Sequence, residues 1–261
     1  MTALVKLGGS LITEKAQPET AREPVIQRLA AEIAQALKED PTLRLVLGHG
    51  SGSFGHQVAG RYQTHLGAHS ETDWRGFAEV WASANQLNRL VIDALRAAGV
   101  PALGYPPSAS AVCQGGRLVE LSHEPIRIAL EHGLVPVIHG DVAVDRTQGA
   151  AIVSTEQVLV ALAPHLEAER LLLAGREPGV YRDFDKKGDL MAELGPDELP
   201  AAGLGEAAEV DVTGGMAAKV HLAMQALRAQ PGLVVRIFSA EAPGSLYRVL
   251  MGDAAGTHVH L

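Results

Sequence analysis

Residues 45 to 56 read Leu-Val-Leu-Gly-His-Gly-Ser-Gly-Ser-Phe-Gly-His, an apolar run that breaks into alternating glycines and closes on a histidine. Glycines at 48, 50, 52 and 55 let the backbone turn back on itself and bring its N–H groups against an anion, which side chains there would block. Leu43 to Leu47 reads as a strand and Phe54 onward as the start of a helix. The donors then sit at a strand-to-helix junction, where the helix dipole adds to the attraction. Gly50, Gly52 and Gly55 also fit the dinucleotide fingerprint G-x-G-x-x-G, and Gly50 to His56 resembles a Walker loop with histidine in the lysine's place. A dinucleotide site needs a second strand ending in an acidic residue about 20 positions on. Glu71 and Asp73 stand at that distance but open a helical pattern, which counts against it. A tight turn with no ligand also fits this segment taken alone.

A chain of 261 residues can bury a substantial core as one large α/β domain or two lobes. No run approaches a membrane span and the N-terminus lacks the regions of a signal peptide, so a cytoplasmic protein is expected. The single cysteine, Cys113, excludes an internal disulfide and any multi-cysteine metal site. A net charge of −8 argues against a nucleic-acid surface. Of the 22 basic residues only six are lysine, at 6, 15, 38, 186, 187 and 219. Lys6 precedes Gly8-Gly9, Lys15 ends the loop after them, and Lys219 follows Gly214-Gly215. Lys38, Lys186 and Lys187 sit among polar neighbours and read as solvated surface.

Residues 3 to 7 read as a buried parallel strand in which Lys6 must find a polar destination. Near a strand's C-terminal end that is the ligand crevice of an open α/β sheet; an edge-strand lysine is the alternative. Pro24 to Lys38 has helical spacing, as does Asp73 to Ala98, capped by Ser70 or Thr72 and ended by Gly99-Val-Pro101. Trp74, Phe77 and Trp81 share a face of that second helix, as core or as a pocket wall for an apolar substrate tail. A short strand at Ala102 to Tyr105, a hairpin turn at Gln114 to Arg117 and a helix at Glu124 to His132 follow. The strand Leu134 to Ile138 ends at His139-Gly140-Asp141, where Asp141 orients a lysine or a metal or is a plain turn residue. Val142 to Asp145 and Ala150 to Val153 read as a β-ribbon, and Ser154 to Ala163 as a capped helix. Past Pro164 the pattern restarts, a candidate lobe boundary. Arg170 to Ala174 is a strand, Gly175 to Asp189 a polar loop, and Glu193 to Glu209 an acidic connector. Asp211 to Lys219 opens a helix running to Arg228. A lysine in the first turns of a helix runs against the dipole and favours a bound anion there. Leu233 to Phe238, Pro243 to Met251 and Gly256 to His260 read as strand, helix and strand.

Taken together, Lys6-Leu-Gly-Gly-Ser10, the 48 to 56 loop, Gly140-Asp141, Gly179-Val-Tyr181, Asp211 to Lys219 and Gly256-Thr257 resemble the amino acid kinase superfamily along nearly the whole chain. Within it, His49 to His56 together with Lys15 is similar to the isopentenyl phosphate kinases, in which the loop's closing histidine binds the substrate phosphate. The resemblance implies a three-layer αβα sandwich with a mainly parallel central sheet, and a homodimer. It also implies a lobe at 1–165 for the acceptor and for dimerisation, and a lobe at 166–261 for ATP and Mg²⁺. Lys6, Lys15, His56 and Lys219 would be catalytic. Gly9, Ser10, Gly52, Ser53, Gly55, His56, Gly140 and Asp141 would bind the phosphate acceptor. Lys6, Gly8, Gly9, Gly179, Tyr181, Gly214, Gly215 and Lys219 would bind the nucleotide. Two segments depart from the family pattern: Ser154-Thr-Glu-Gln157 replaces Ser-Gly-Asp-Asp, and Arg176-Glu-Pro-Gly179 replaces Asp-Val-Asp-Gly. Family aspartates are therefore not carried onto Glu156 or Arg176.

The implied reaction joins two phosphate-bearing molecules carrying roughly six negative charges. Mg²⁺ offsets two of these and three lysines offset three more, while His56 orients the acceptor through a hydrogen bond. Backbone N–H groups of Gly8, Gly9, Gly52 and Gly55 would face phosphates, and Asp141 would hold Lys6 or Lys15. A kinase for another small phosphate or phosphonate, of the fosfomycin kinase kind, a non-catalytic nucleotide sensor and a Rossmann oxidoreductase are the rival readings.

Overall fold

The chain opens with strand β1 (Thr2–Leu7), the single turn α1 (Gly9–Ile12), helix α2 (Glu23–Glu39), strand β2 (Arg44–His49), helix α3 (Gly52–Tyr62) and the long helix α4 (Glu71–Ala97). Next come β3 (Ala102–Gly104), β4 (Val112–Gln114), β5 (Arg117–Glu120), α5 (Glu124–Glu131), β6 (Val135–His139), β7 (Asp141–Asp145), β8 (Gly149–Val153) and α6 (Thr155–His165). The remainder is β9 (Arg170–Gly175), β10 (Glu193–Leu194), α7 (Met216–Ala229), β11 (Val234–Ser239), α8 (Ser245–Leu250) and β12 (Thr257–Val259). This computed structural model describes residues 1–182, 188–200, 202 and 215–261. Lys186, Lys187, Gly214, the second half of the acidic connector apart from residue 202, and the start of the Asp211 segment lie outside the described residues.

Eight strands form one sheet in the order β10-β12-β11-β9-β1-β2-β6-β3, in which every pairing except β11 with β12 is parallel. Strand β1 alternates between the two faces. Ala3, Val5 and Leu7 join one core with residues of α1, α2, α4 and α8, and Leu4 joins the other with α6 and α7. Helices therefore cover both faces, the three-layer arrangement of a buried parallel sheet. The sheet runs unbroken across residue 165, with β9 paired directly to β1. Strands β5-β4-β7-β8 make a second, four-stranded sheet, in which the β7–β8 ribbon is joined to the β4–β5 hairpin by a parallel pairing.

Capping chemistry sets the helices that matter for the site. Ser70 and Asp73 exchange hydrogen bonds in a capping box at the start of α4, and Ser154 and Gln157 do the same at α6. The buried stripe of α4 runs Val80, Ala84, Leu87, Val91, Leu95. Trp74 and Trp81 are not part of the core, each being 44% exposed, and Phe77 is half-buried against Trp74 with ring centroids 5.5 Å apart. Among the described residues no helix is long and apolar enough to cross a membrane.

Candidate active site

Strands β1 and β2 lie parallel with Leu7 opposite His49, so their C-terminal ends are level, and each breaks at once into glycine. The two turns meet. Gly50 N–H donates to the Leu7 carbonyl at 3.0 Å. A Cβ on Gly9 would fall 2.7 Å from Gly52 N, and one on Gly50 would fall 2.8 Å from Gly9 N. No side chain fits there, which is the physical reason for glycine in both turns. No partner for the N–H groups of Gly9, Ser10 or Gly52 is found among the described residues. These donors stand at the first residues of α1 and α3.

Lys6 lies beneath this meeting point, its Cε 3.8 Å from where a Gly50 Cβ would stand. Its ammonium forms a buried ion pair with Glu156 in the first turn of α6. Burial alone would raise the Glu156 carboxyl, but the charge and hydrogen bond of Lys6, with Lys219 beyond, outweigh it and hold it below its ordinary value. Glu156 is therefore ionised. Helix α6 is tied to the end of β2 because the Thr155 hydroxyl donates 2.6 Å to the His49 carbonyl, which also accepts the Gly140 N–H at 3.1 Å.

Lys219 reaches the same crevice from α7. Its Nζ lies 3.6 Å from the Cβ position of Gly175, at the end of β9. Burial, then Lys6, pushes the amine down to about 8, with Glu156 opposing and Lys15 and Glu177 exerting weaker effects of opposite sign. His56 sits near the start of α3, and crowding by the protein followed by the charges of Lys6 and Lys15 moves its imidazole below the ordinary value, Glu156 opposing. These effects favour its neutral form. Lys6, Lys15, His56, Glu156 and Lys219 are thus one electrostatic cluster around the two glycine turns.

Several expected roles change. Gly8 N–H donates 2.8 Å to the Ala174 carbonyl and Gly55 N–H 3.3 Å to the Ser51 carbonyl, so neither amide is left for a phosphate. Ser53 is buried, with its N–H donated to the Thr13 hydroxyl at 3.1 Å. Asp141 holds neither Lys6 nor Lys15: it accepts the Ser108 N–H at 3.1 Å and the Val142 N–H at 2.9 Å, and stands 3.6 Å from His139 Nε2. Burial raises its carboxyl. Gly140 lies beside Ser51 and Thr155, with its N–H donated to the His49 carbonyl at 3.1 Å. Gly179 closes on Thr257, whose hydroxyl accepts the Val180 N–H at 2.8 Å and donates to the Met191 carbonyl at 2.6 Å. Tyr181 follows, in a bridge with Leu190, and Gly215 caps α7.

Glu156 is the site residue that sequence reasoning passed over. The signal was present, since a Ser-x-x-Gln capping box places the intervening acid at a helix N-terminus. His49 and His139 were not singled out either. Their rings stack 5.6 Å apart at the ends of β2 and β6, and burial pushes both down to about 4. Asn88 on α4 contacts His49 Nε2 at 3.0 Å, fastening α4 to the end of β2 beneath the second glycine turn.

A family model described as the amino acid kinase family matches residues 1–239. Isopentenyl phosphate kinase of Methanothermobacter thermautotrophicus is 35% identical across 98% of both chains. That of Haloferax volcanii is 35% identical across 97% of this chain and 96% of its own. A solved isopentenyl phosphate kinase structure superposes with a TM-score of 0.85 at 32% identity, covering 100% of each chain.

Proposed function

Because the chain belongs to the amino acid kinase family, we propose that it transfers the terminal phosphoryl group of ATP to the phosphate of isopentenyl phosphate, giving isopentenyl diphosphate and ADP. The observation that carries this reading is the clustering of Lys6, Lys15, Lys219 and His56 at the meeting of two glycine turns, in a chain similar throughout its length to isopentenyl phosphate kinases. An alkyl phosphate has a second pKa near 6, so its oxygen is already ionised at pH 7 and no general base is needed. That oxygen attacks the γ-phosphorus while the bond to the β,γ-bridging oxygen breaks. The demand on the protein is therefore positioning and charge neutralisation. In this scheme Lys219 and Lys6 face the transferred group and the nucleotide phosphates, Glu156 keeps the two ammonium groups from repelling each other, and His56 donates to the acceptor phosphate.

Among the described residues no group of three or more His, Cys, Asp or Glu side chains could hold a metal ion. Glu156 is occupied by Lys6, so magnesium would arrive held by the nucleotide's phosphates rather than in a protein cage. In this reading residues 1–165, with Lys15 and His56, serve the acceptor and residues 166–261, with Lys219, serve ATP, on one sheet that is continuous across residue 165. We further propose a homodimer joined through α4, whose Trp74 and Trp81 are two turns apart on an exposed face.

An ATP-coupled assay over a panel of acceptors tests the activity. Isopentenyl phosphate should be the preferred acceptor, ahead of fosfomycin and N-acetylglutamate. ATP consumption with another member of the panel and none with isopentenyl phosphate would overturn the reading.

A further inference from the structure

The segment between α1 and α2 is a fastened strap. Thr13 and Ala21 pair as an antiparallel bridge at its two ends, and Glu14 N–H donates 2.9 Å to the Thr20 carbonyl just inside them. Lys15 rides on this strap, exposed to solvent. The strap is bound to one residue of the acceptor loop through three different groups. Ser53 N–H donates to Thr13 Oγ1 at 3.1 Å, the Ser53 carbonyl accepts the Glu19 N–H at 3.3 Å, and the Ser53 hydroxyl accepts the Thr20 N–H at 3.4 Å.

Thr13 does more than hold Ser53. Its buried hydroxyl also donates 2.9 Å to the Gly9 carbonyl, so a single oxygen joins the glycine turn after β1 to the one after β2. A Cβ on Gly52 would lie 2.2 Å from that oxygen, which shows how tightly the junction is closed. On the far side, Glu19 has a φ of 46°, a left-handed conformation that a residue with a side chain adopts only when its contacts hold it there. Those contacts are the Ser53 carbonyl and the hydroxyl of Ser83, which donates 2.7 Å to Glu19 Oε1 from the buried side of α4.

We infer that Thr13, Ser53 and Glu19 are positioning residues: they fasten the Lys15 strap to the acceptor loop and lock the two glycine turns in register around the phosphoryl group in flight. The inference rests on the kinase reading above and assigns Ser53 to the protein rather than to the substrate. A long flexible lysine on a loose loop would contribute its charge over many geometries. On a strap with fixed ends it delivers that charge to one place, which is the condition for phosphoryl transfer by positioning.

The test compares Thr13→Val, Thr13→Ser and Ser83→Ala, each alone and combined with Lys15→Ala, by kcat and KM for both substrates. Thr13→Val keeps the shape and loses the hydroxyl, and should lower kcat by about tenfold or more with KM for ATP changed less than about twofold. Thr13→Ser should restore kcat to within about threefold. Ser83→Ala cuts the outer tether without touching either glycine turn. It should lower kcat in the wild-type background and cost nothing further once Lys15 is alanine. Losses that multiply independently when Ser83→Ala is combined with Lys15→Ala would overturn the inference, as would an unchanged kcat in Thr13→Val. Hydrogen exchange supplies a readout independent of turnover. The Ser53, Glu19 and Thr20 amides should be protected in the wild type and exchange faster in Ser83→Ala, and rapid exchange in the wild type would also overturn it. Wild-type protein inactive on isopentenyl phosphate would defeat the proposed activity instead, leaving the strap to be judged by exchange.

Discussion

Lys6 and Glu156, 150 residues apart in the chain, form a buried ion pair between the central strand β1 and the first turn of helix α6, which packs across β1, β2 and β6. Removing one partner of such a pair leaves an uncompensated charge and costs about 3–5 kcal/mol. Here the charge left behind would also face Lys219. Glu156→Gln should therefore lower the melting temperature by about 10 °C and reduce kcat by at least about tenfold. Thermal melts beside steady-state kinetics check both, and a variant that melts and turns over like the wild type would show that the pair does not organise the site.

In the proposed mechanism Lys219 should give the reaction an alkaline limb. Burial and Lys6 favour its neutral amine, so in the free enzyme its charge is lost as pH rises through about 8. The profile of kcat/KM, which reports the free enzyme, should fall above that pH, and Lys219→Arg should retain part of the activity while losing the limb. The stability effect has the opposite sense. Between about 8 and the ordinary lysine value the unfolded chain holds a proton that the folded one has released, so this group's contribution to stability increases with pH across that window. A flat wild-type profile to pH 10 would contradict the alkaline limb, and an unchanged rate in Lys219→Ala would remove Lys219 from the chemistry.

In the proposed mechanism His56 donates a hydrogen bond to the acceptor phosphate, and burial with the charges of Lys6 and Lys15 favours its neutral ring before substrate binds. His56→Ala should cut turnover on the monophosphate by about a hundredfold or more, the scale of a lost donor at a developing charge. His56→Asn, which keeps an N–H, should recover part of that loss. A near-normal rate in the alanine variant would take His56 out of the mechanism.

The parts of this site legible in the sequence were those with local signals. Glycine turns beside rare lysines marked Lys6, Lys15 and Lys219, and the apolar runs before Gly8 and Gly50 placed those two turns at the ends of β1 and β2. Long-range pairing was not legible: nothing near Lys6 names Glu156 as its partner, and Asp141, which looked suited to the task, is consumed by Ser108 and Val142. Ser53 resembled a phosphate ligand because only its neighbours in the chain were visible, whereas Thr13, Glu19 and Thr20 engage it from another segment. The period of α4 identified which aromatics share a face, but not whether that face is covered. Trp74 and Trp81 show the limit, since a stripe of the right spacing proved exposed. The parallel join of the second sheet likewise depends on a contact between β4 and β7 that no local pattern records.

That exposed face carries its own expectation. Trp74→Ser with Trp81→Ser should shift the chain from dimer to monomer in sedimentation velocity while leaving the melting temperature nearly unchanged, because neither indole is part of the core. A monomeric wild type, or a double variant that stays dimeric, would remove α4 as the joining surface.

The most direct test of the account is inhibition by a bisubstrate analogue, adenosine linked through a polyphosphate bridge to the isopentenyl group. If the lysines and glycine amides hold donor and acceptor end to end in a single crevice, the analogue will compete with both ATP and isopentenyl phosphate, and Lys6→Ala and His56→Ala will each weaken its binding. Competition with ATP alone, unaffected by loss of His56, would contradict it.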